Sequence, residues 1–272
     1  MKRSDRLVAL TNYFISNPRQ HTSLPYFTTK FDAAKSSLSE DLDIIDQRFR
    51  EEGLGYLHRI SGAGGGVEYI PSHDEEASLI FIDQLCDMLA DSSRILPGGY
   101  IYMSDILGNP KTVRQIGHVF ASVFSEMEID AVVTVATKGI PLAYAVASFL
   151  NVPVVIVRRD PKVTEGSSVS INYVSGSSRK IQTMVLPKRS LKEGTNVCII
   201  DDFMQAGGTI TGITSLLKEF QANVQAIGVL AEADDEEDER IVHDYTSLIK
   251  IHNLMSQDNI QVSRGSFQSH KN

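Results

Sequence analysis

The sequence has little cysteine, no apolar run of membrane-spanning length and no excess of positive charge, and each shortage excludes a class of function. Its two cysteines, Cys86 and Cys198, lie among apolar neighbours in no Cys-x-x-Cys pattern, so they read as buried thiols and not as a disulfide or metal site. No stretch approaches the roughly 20 apolar residues of a transmembrane helix. The start, Met1 to Leu10, is polar and helical, unlike a signal peptide. These features predict a cytoplasmic protein with no membrane partner. The net charge of −8 argues against a general polyanion binder. That charge is unevenly spread: Met1 to His73 hold nine Lys+Arg and nine Asp+Glu, so the excess acid lies in the remainder. Seven acids between Glu232 and Glu239 supply much of it, and they read as a solvated turn leading into a helix.

What is present divides the 272 residues into two expected domains, 1–73 and 74–272, with a boundary near Pro71-Ser72-His73-Asp74. Leu7, Leu10 and Phe14 recur at helical spacing from Arg6 to Ile15, and Asn17-Pro18 ends that run. Ser23-Leu24-Pro25 starts a short second helix to about Phe31. Ser37 and Glu40 have capping-box spacing, and Leu38, Leu42, Ile45 and Phe49 form the apolar stripe of a third helix ending near Gly53. Two strands follow, Gly55 to Ile60 and Val67 to Ile70, joined by a glycine-rich turn. Three helices and a β-ribbon predict a winged helix-turn-helix domain. In that reading the start of the third helix, Lys35, Ser36, Ser37 and Ser39, meets base edges or phosphates of double-stranded DNA, and His58 and Arg59 reach backbone or minor groove. Glu40, Asp41 and Asp43 suit the positive helix end but oppose DNA electrostatically.

In the second part, a helix from Ser78 to Leu89 precedes a turn at Leu96-Pro97-Gly98-Gly99-Tyr100, and from Asp130 apolar strands alternate with helices. That alternation predicts an α/β domain with a mainly parallel sheet covered on both faces and a ligand site at the strands' carboxyl ends. Val169 to Val174 and Arg179 to Leu186, about the turn Ser175 to Ser178, predict a two-stranded β-arm. Val197 to Thr209 reads as strand, loop and helix: apolar residues, then Asp201-Asp202, then a small turn through Ala206-Gly207-Gly208. Such a turn presents backbone N–H groups to an anion at the positive end of a helix. Carboxylates do not bind phosphate but accept hydrogen bonds from vicinal hydroxyls, so a phosphorylated sugar satisfies both halves. Thr137-Lys138-Gly139 also sits between a strand and a helix, where Gly139 can take a strained turn and Lys138 supplies charge.

The Asp201-Asp202 stretch resembles the phosphoribosyl diphosphate (PRPP) motif of the type I phosphoribosyltransferases. Arg3 to about Ile251 resembles the purine operon repressors of Gram-positive bacteria, through Ala34-Lys35-Ser36-Ser37, Leu96 to Tyr100, Thr137 to Ala143 and Asp201-Asp202-Phe203-Met204-x-Ala-Gly-Gly-Thr. The resemblance implies a homodimer that binds DNA upstream of purine genes and releases it when PRPP accumulates, with Mg2+ shared by diphosphate and ribose oxygens. The implied effector-binding residues are Tyr102, Thr137, Lys138, Gly139, Arg159, Lys162, Asp201, Asp202, Phe203, Met204, Gln205, Ala206, Gly207, Gly208 and Thr209. No catalytic residue and no metal ligand of the chain's own are implied. Gln205 stands where the hypoxanthine-guanine transferases have an acid, and Ala206 where many transferases have a hydroxyl; both favour a sensor. The rival is an active purine phosphoribosyltransferase with an appended DNA-binding domain. A third reading gives the pocket to a purine nucleotide or guanosine tetraphosphate, with PRPP as competitor.

Overall fold

The computed structural model describes residues 1–62, 64–97, 99–160, 166–174, 181–234, 241–254 and 260–267. The chain opens with α1 (Arg3–Ser16), the two-residue strand β1 (Thr22–Ser23), α2 (Leu24–Phe31) and α3 (Lys35–Glu51). Pro25 falls in the first turn of α2, where its missing N–H costs nothing. Leu38, Leu42, Ile45 and Phe49 share one face of α3 and are buried with Leu10, Phe14, Phe27 and Phe31 in a single cluster. The strands β2 (Gly55–Ile60) and β3 (Gly66–Pro71) pair antiparallel and add Leu57, Val67 and Tyr69 to that cluster. The result is the expected winged helix, with one addition. β1 pairs with β3, so the ribbon becomes a three-stranded sheet in the order β1-β3-β2; two residues are too few to leave an alternating pattern in the sequence.

Two local expectations change. α3 begins at Lys35 with Ala34 in the capping position and no side-chain cap, so Ser37 lies inside the first turn and forms no capping box with Glu40. Asp41, read as a surface acid, is fully buried, with its carboxylate held by Arg3 Nε at 3.0 Å and by Arg6 Nε.

The larger part starts with α4 (Glu75–Leu89), capped by Asp74, whose carboxylate accepts the Ala77 N–H at 2.9 Å. A short hairpin of β4 (Ile95–Leu96) and β5 (Tyr100–Ile101) leads to α5 (Ser104–Leu107) and α6 (Pro110–Val123). Strands and helices then alternate through β6 (Ala131–Val135), α7 (Gly139–Leu150) and β7 (Val154–Val157). An antiparallel arm follows, made of β8 (Ser168–Val174) and β9 (Ile181–Pro187). The chain continues through β10 (Asn196–Met204), α8 (Gly208–Lys218), β11 (Asn223–Asp234), β12 (Thr246–His252) and β13 (Gln261–Arg264). Six strands form one sheet in the order β13-β12-β11-β10-β6-β7, parallel except for the edge strand β13. Successive residues sort to opposite faces: Cys198 and Ile200 join the core under α4, α6 and α7, while Val197 and Ile199 join the core under α8 and the arm. Burial on both faces is why these strands read as continuous apolar runs.

Here the sequence reading was short at three points. β10 runs on through Met204, so Asp201 and Asp202 stand on the strand itself, and α8 begins at Gly208. Residues 241–245, expected to be helical, are not, and β13 was unforeseen. Asp235 to Glu239 and the arm turn Ser175 to Ser178 lie outside the described residues.

The two parts meet where the winged helix touches α6. Arg19 donates to the Ser125 carbonyl, and Ser72 Oγ lies 3.3 Å from Ser122 Oγ. The His118 ring stacks on Phe149 with centroids 4.5 Å apart and meets the His73 ring edge-on at 4.9 Å. Burial, reinforced by His73 and Arg114 and opposed by a backbone hydrogen bond at Leu54, pushes the His118 pKa down to about 4. Its folded value therefore lies below the ordinary 6.5, and the unfolded chain takes up the proton first. This contribution to stability is complete above pH 6.5 and lost as pH falls towards 4, by up to about 3 kcal/mol. Denaturant titrations at pH 7 and pH 4.5 are expected to show a smaller acid loss in His118→Leu than in the parent chain; equal losses would contradict the assignment.

Candidate functional site

At the carboxyl ends of β6 and β10 the chain forms a cleft of two lobes that share Tyr100, Arg159, Asp201, Phe203 and Thr209. The first lobe is lined by Met204, Gln205, Ala206, Gly207, Gly208 and Ile210, with Tyr173 and Gln182 from the arm. Gly207 caps α8 with φ +88°, a left-handed conformation that a side chain would strain, and its carbonyl accepts Thr211 Oγ1 at 3.0 Å. The turn thus leaves the positive end of α8 open to an anion. Thr137, Lys138 and Asp202 line the second lobe with Ile101, Met103, Val135 and Ala136.

Gly139 is needed for a reason other than the strained turn expected of it. Its φ is not positive. A Cβ there would lie 2.2 Å from Thr134 Oγ1 and 3.3 Å from Asp201 Oδ1, so the bare backbone lets the first turn of α7 settle against β6 and β10. Asp201 is buried, and its Oδ1 accepts the Asp202 N–H at 3.0 Å. Burial first, then the neighbouring Asp202 charge, raises the Asp201 carboxyl well above the usual range. Burial also raises Asp202, while Lys138 and the Asp201 side chain pull it back. Two adjacent acids held away from water are unfavourable for the fold alone, and a partner that donates to both relieves them. The open end of α8 in one lobe and the Lys138 charge in the other flank this pair, an arrangement compatible with a diol that carries anionic groups on both sides.

The structure gathers most of the expected residues. Thr137, Lys138, Arg159 and Asp201 through Thr209 all line the cleft, with Gly139 beneath it. Tyr102 does not. It is 45 % exposed outside the lining, and Tyr100 takes its place because the β4–β5 hairpin turns that side chain over the cleft. Lys162 lies outside the described residues. Sequence reasoning also passed over Tyr173 and Gln182, which face each other across the arm; the only signal was the arm's alternation.

On the winged helix, Lys35 and Ser36 are exposed at the start of α3, with Ser37 and Ser39 half-buried beside them. His58 and Arg59 are exposed on β2. Arg59 crosses to α3, donating to Ser39 Oγ at 3.1 Å and pairing with Asp43 at 2.6 Å. One of the acids expected to oppose DNA is thus tied to one of the cations expected to bind it.

Fold and cleft together define a class: a type I phosphoribosyltransferase fold carrying a winged helix at its amino terminus. Residues 2–71 match the family described as bacterial purine repressor, N-terminal, and residues 103–263 match the phosphoribosyl transferase domain. The purine biosynthesis transcriptional repressor PurR of Bacillus subtilis is 57% identical, over 98% of this chain and 93% of its own. The purine biosynthesis transcriptional activator PurR of Lactococcus lactis is 44% identical over the whole of both chains. An adenine phosphoribosyltransferase structure from Thermoanaerobacter pseudethanolicus superposes with a TM-score of 0.54 at 21% identity, covering 61% of this chain and 98% of that one, a likeness of fold alone. The chain belongs to the family of bacterial purine repressors and regulators of purine biosynthesis.

Proposed function

We propose that this chain is a cytoplasmic, homodimeric transcriptional regulator that binds DNA upstream of purine biosynthesis genes through its winged helix and releases it when PRPP occupies the cleft. The observation that carries this reading is the Asp201-Asp202 pair, Asp201 buried and Asp202 partly so, set between the Gly207-Gly208 turn and Lys138 on the same chain as a winged helix. The acids receive the ribose 2- and 3-hydroxyls, the turn from Gln205 to Thr209 receives the 5-phosphate, and Thr137, Lys138 and Arg159 face the diphosphate. Among the described residues no group of three or more His, Cys, Asp or Glu could hold a metal ion. Mg2+ would come with the effector, held by its diphosphate and ribose oxygens, and would offset the diphosphate charge.

The fold serves here as a sensor. Gln205 offers no carboxyl for acid–base work, a loss worth about 10²- to 10⁴-fold in rate, and Ala206 gives the 5-phosphate no hydroxyl, at roughly 1 kcal/mol of binding. Regulation follows from linkage: if PRPP favours the DNA-free form about a hundredfold, the coupling is ~2.7 kcal/mol and DNA weakens PRPP equally. The test is a DNA-binding titration on a purine-operon upstream region with and without PRPP-Mg, expected to show about a hundredfold weakening, with no base-dependent turnover of PRPP under the same conditions. Unchanged affinity would overturn the sensor, and measurable transfer to a purine base would make the chain an enzyme.

A further inference from the structure

The wing is tied to α3 on the side expected to meet DNA. β2 is an edge strand of the three-stranded sheet, and α3 holds it at two points. Ser39, Asp43 and Asp46 share one face of the helix, four and three residues apart. At one point Asp46 Oδ1 accepts the Leu57 N–H at 2.6 Å, which satisfies a donor on the strand's outer edge. At the other, two residues further along β2, Arg59 crosses to the same helix face. Its Nη1 donates to Ser39 Oγ at 3.1 Å, and its Nη2 donates to the Ser39 carbonyl at 3.2 Å and to Asp43 Oδ1 at 2.6 Å.

A surface ion pair alone holds little, and this one is exposed, with 41% of the Arg59 and 69% of the Asp43 side chain in contact with water. The attachment is more than a pair. A planar guanidinium bridges two residues one helical turn apart and takes a backbone carbonyl as well, a geometry that an ammonium cannot copy. Beyond Ile60 the sequence continues into Ser61-Gly62 and Gly64-Gly65-Gly66, residues with no charge and little or no side chain to set the wing's direction. The strand beneath has to set it. Both terminal nitrogens of Arg59 are engaged on α3, so a phosphate would have to displace Asp43, whose carboxylate would then stand beside it and repel it.

We infer that Arg59 is a positioning residue for DNA recognition: clamped to Ser39 and Asp43, it holds the wing at a fixed angle to α3 so that helix and wing meet one duplex together, and it does not itself neutralise a phosphate. This rests on reading the winged helix as the DNA-binding part. A wing that is already aligned has no ordering cost to meet when the duplex arrives. The two roles open to Arg59 differ in what they govern. A phosphate contact strengthens binding to every sequence alike, whereas a clamp acts only where helix and wing must fit together, on the operator.

Titrations of the full chain with a purine-operon upstream duplex and with a scrambled duplex of the same length, over a range of salt, separate the two. Arg59→Ala is expected to lower the ratio of operator to scrambled affinity about fivefold and to keep the parental salt slope. Arg59→Lys keeps the charge but cannot span Ser39 and Asp43 together, so it loses as much. Asp43→Ala lowers the ratio as well, and adding it to Arg59→Ala lowers it no further. A phosphate contact would instead make the slope of Arg59→Ala shallower by about 0.9, weaken both duplexes alike and be restored by lysine. A shallower slope, an unchanged ratio in Arg59→Ala or a parental ratio in Arg59→Lys overturns the clamp and leaves the DNA-binding reading standing. If the parent chain binds the upstream duplex no better than the scrambled one, that reading fails first and this inference fails with it.

Discussion

Asp201→Ala is expected to leave operator binding intact and to reduce the response to PRPP from about a hundredfold to less than about twofold; Asp202→Ala should behave alike. The acids lie in the cleft, away from the exposed residues at the start of α3, so the DNA surface is untouched. Asp201 is buried and Asp202 partly so, and burial raises both carboxyls above the usual carboxylate range, a cost to the fold. Removing Asp201 should therefore not lower the melting temperature and can raise it, as happens when a residue kept for binding is replaced. A fluorescence anisotropy titration of labelled operator, with and without PRPP-Mg, reads the first effect, and calorimetry the second. A normal response in both variants would remove the diol role from this pair.

The second large effect belongs to the winged helix. Asp41→Ala is expected to destabilise it by about 3 kcal/mol or more. Asp41 has no exposed surface, and Arg6 beside it keeps only 10% of its side chain in contact with water. Truncating the acid leaves a guanidinium buried without its counter-charge, and Arg3 loses its closer partner at 3.0 Å. Operator binding should fail as α1 and α3 separate, while PRPP-Mg binding by the same full-length chain persists. Retention of both the melting temperature and the operator affinity would show that this pair contributes little.

Much of this architecture was legible in the sequence because its determinants are local. The stripe Leu38, Leu42, Ile45 and Phe49 located α3, and the apolar runs from Ala131 and Val154 located two buried strands. The small-residue turn at Ala206-Gly207-Gly208 located the first lobe of the cleft. What escaped was set by partners distant in the chain. Asp41 reads as a surface acid until Arg3 and Arg6, more than thirty positions away, come to meet it. β10 appeared to stop at Ile200 because acids follow, although the main-chain pairing with β11 continues through Met204. Tyr100 and Tyr102 are alike in sequence, and only the β4–β5 hairpin decides which one faces the cleft. β13 has four residues at an edge, too short and too polar to stand out.

α7 has a mechanical consequence. Its first residue, Gly139, fits against Thr134 and Asp201 at the cleft floor, and Phe149, one residue from its other end, stacks on His118 beside the winged helix. Twelve helical residues span about 18 Å. Along the way Ala145 meets Gly117 of α6 so closely that a Cβ on the glycine would lie 2.6 Å from it, leaving no slack between the two helices. The floor of the cleft and the edge of the DNA-binding part are therefore tied to the two ends of one helix that is packed without gaps along its length.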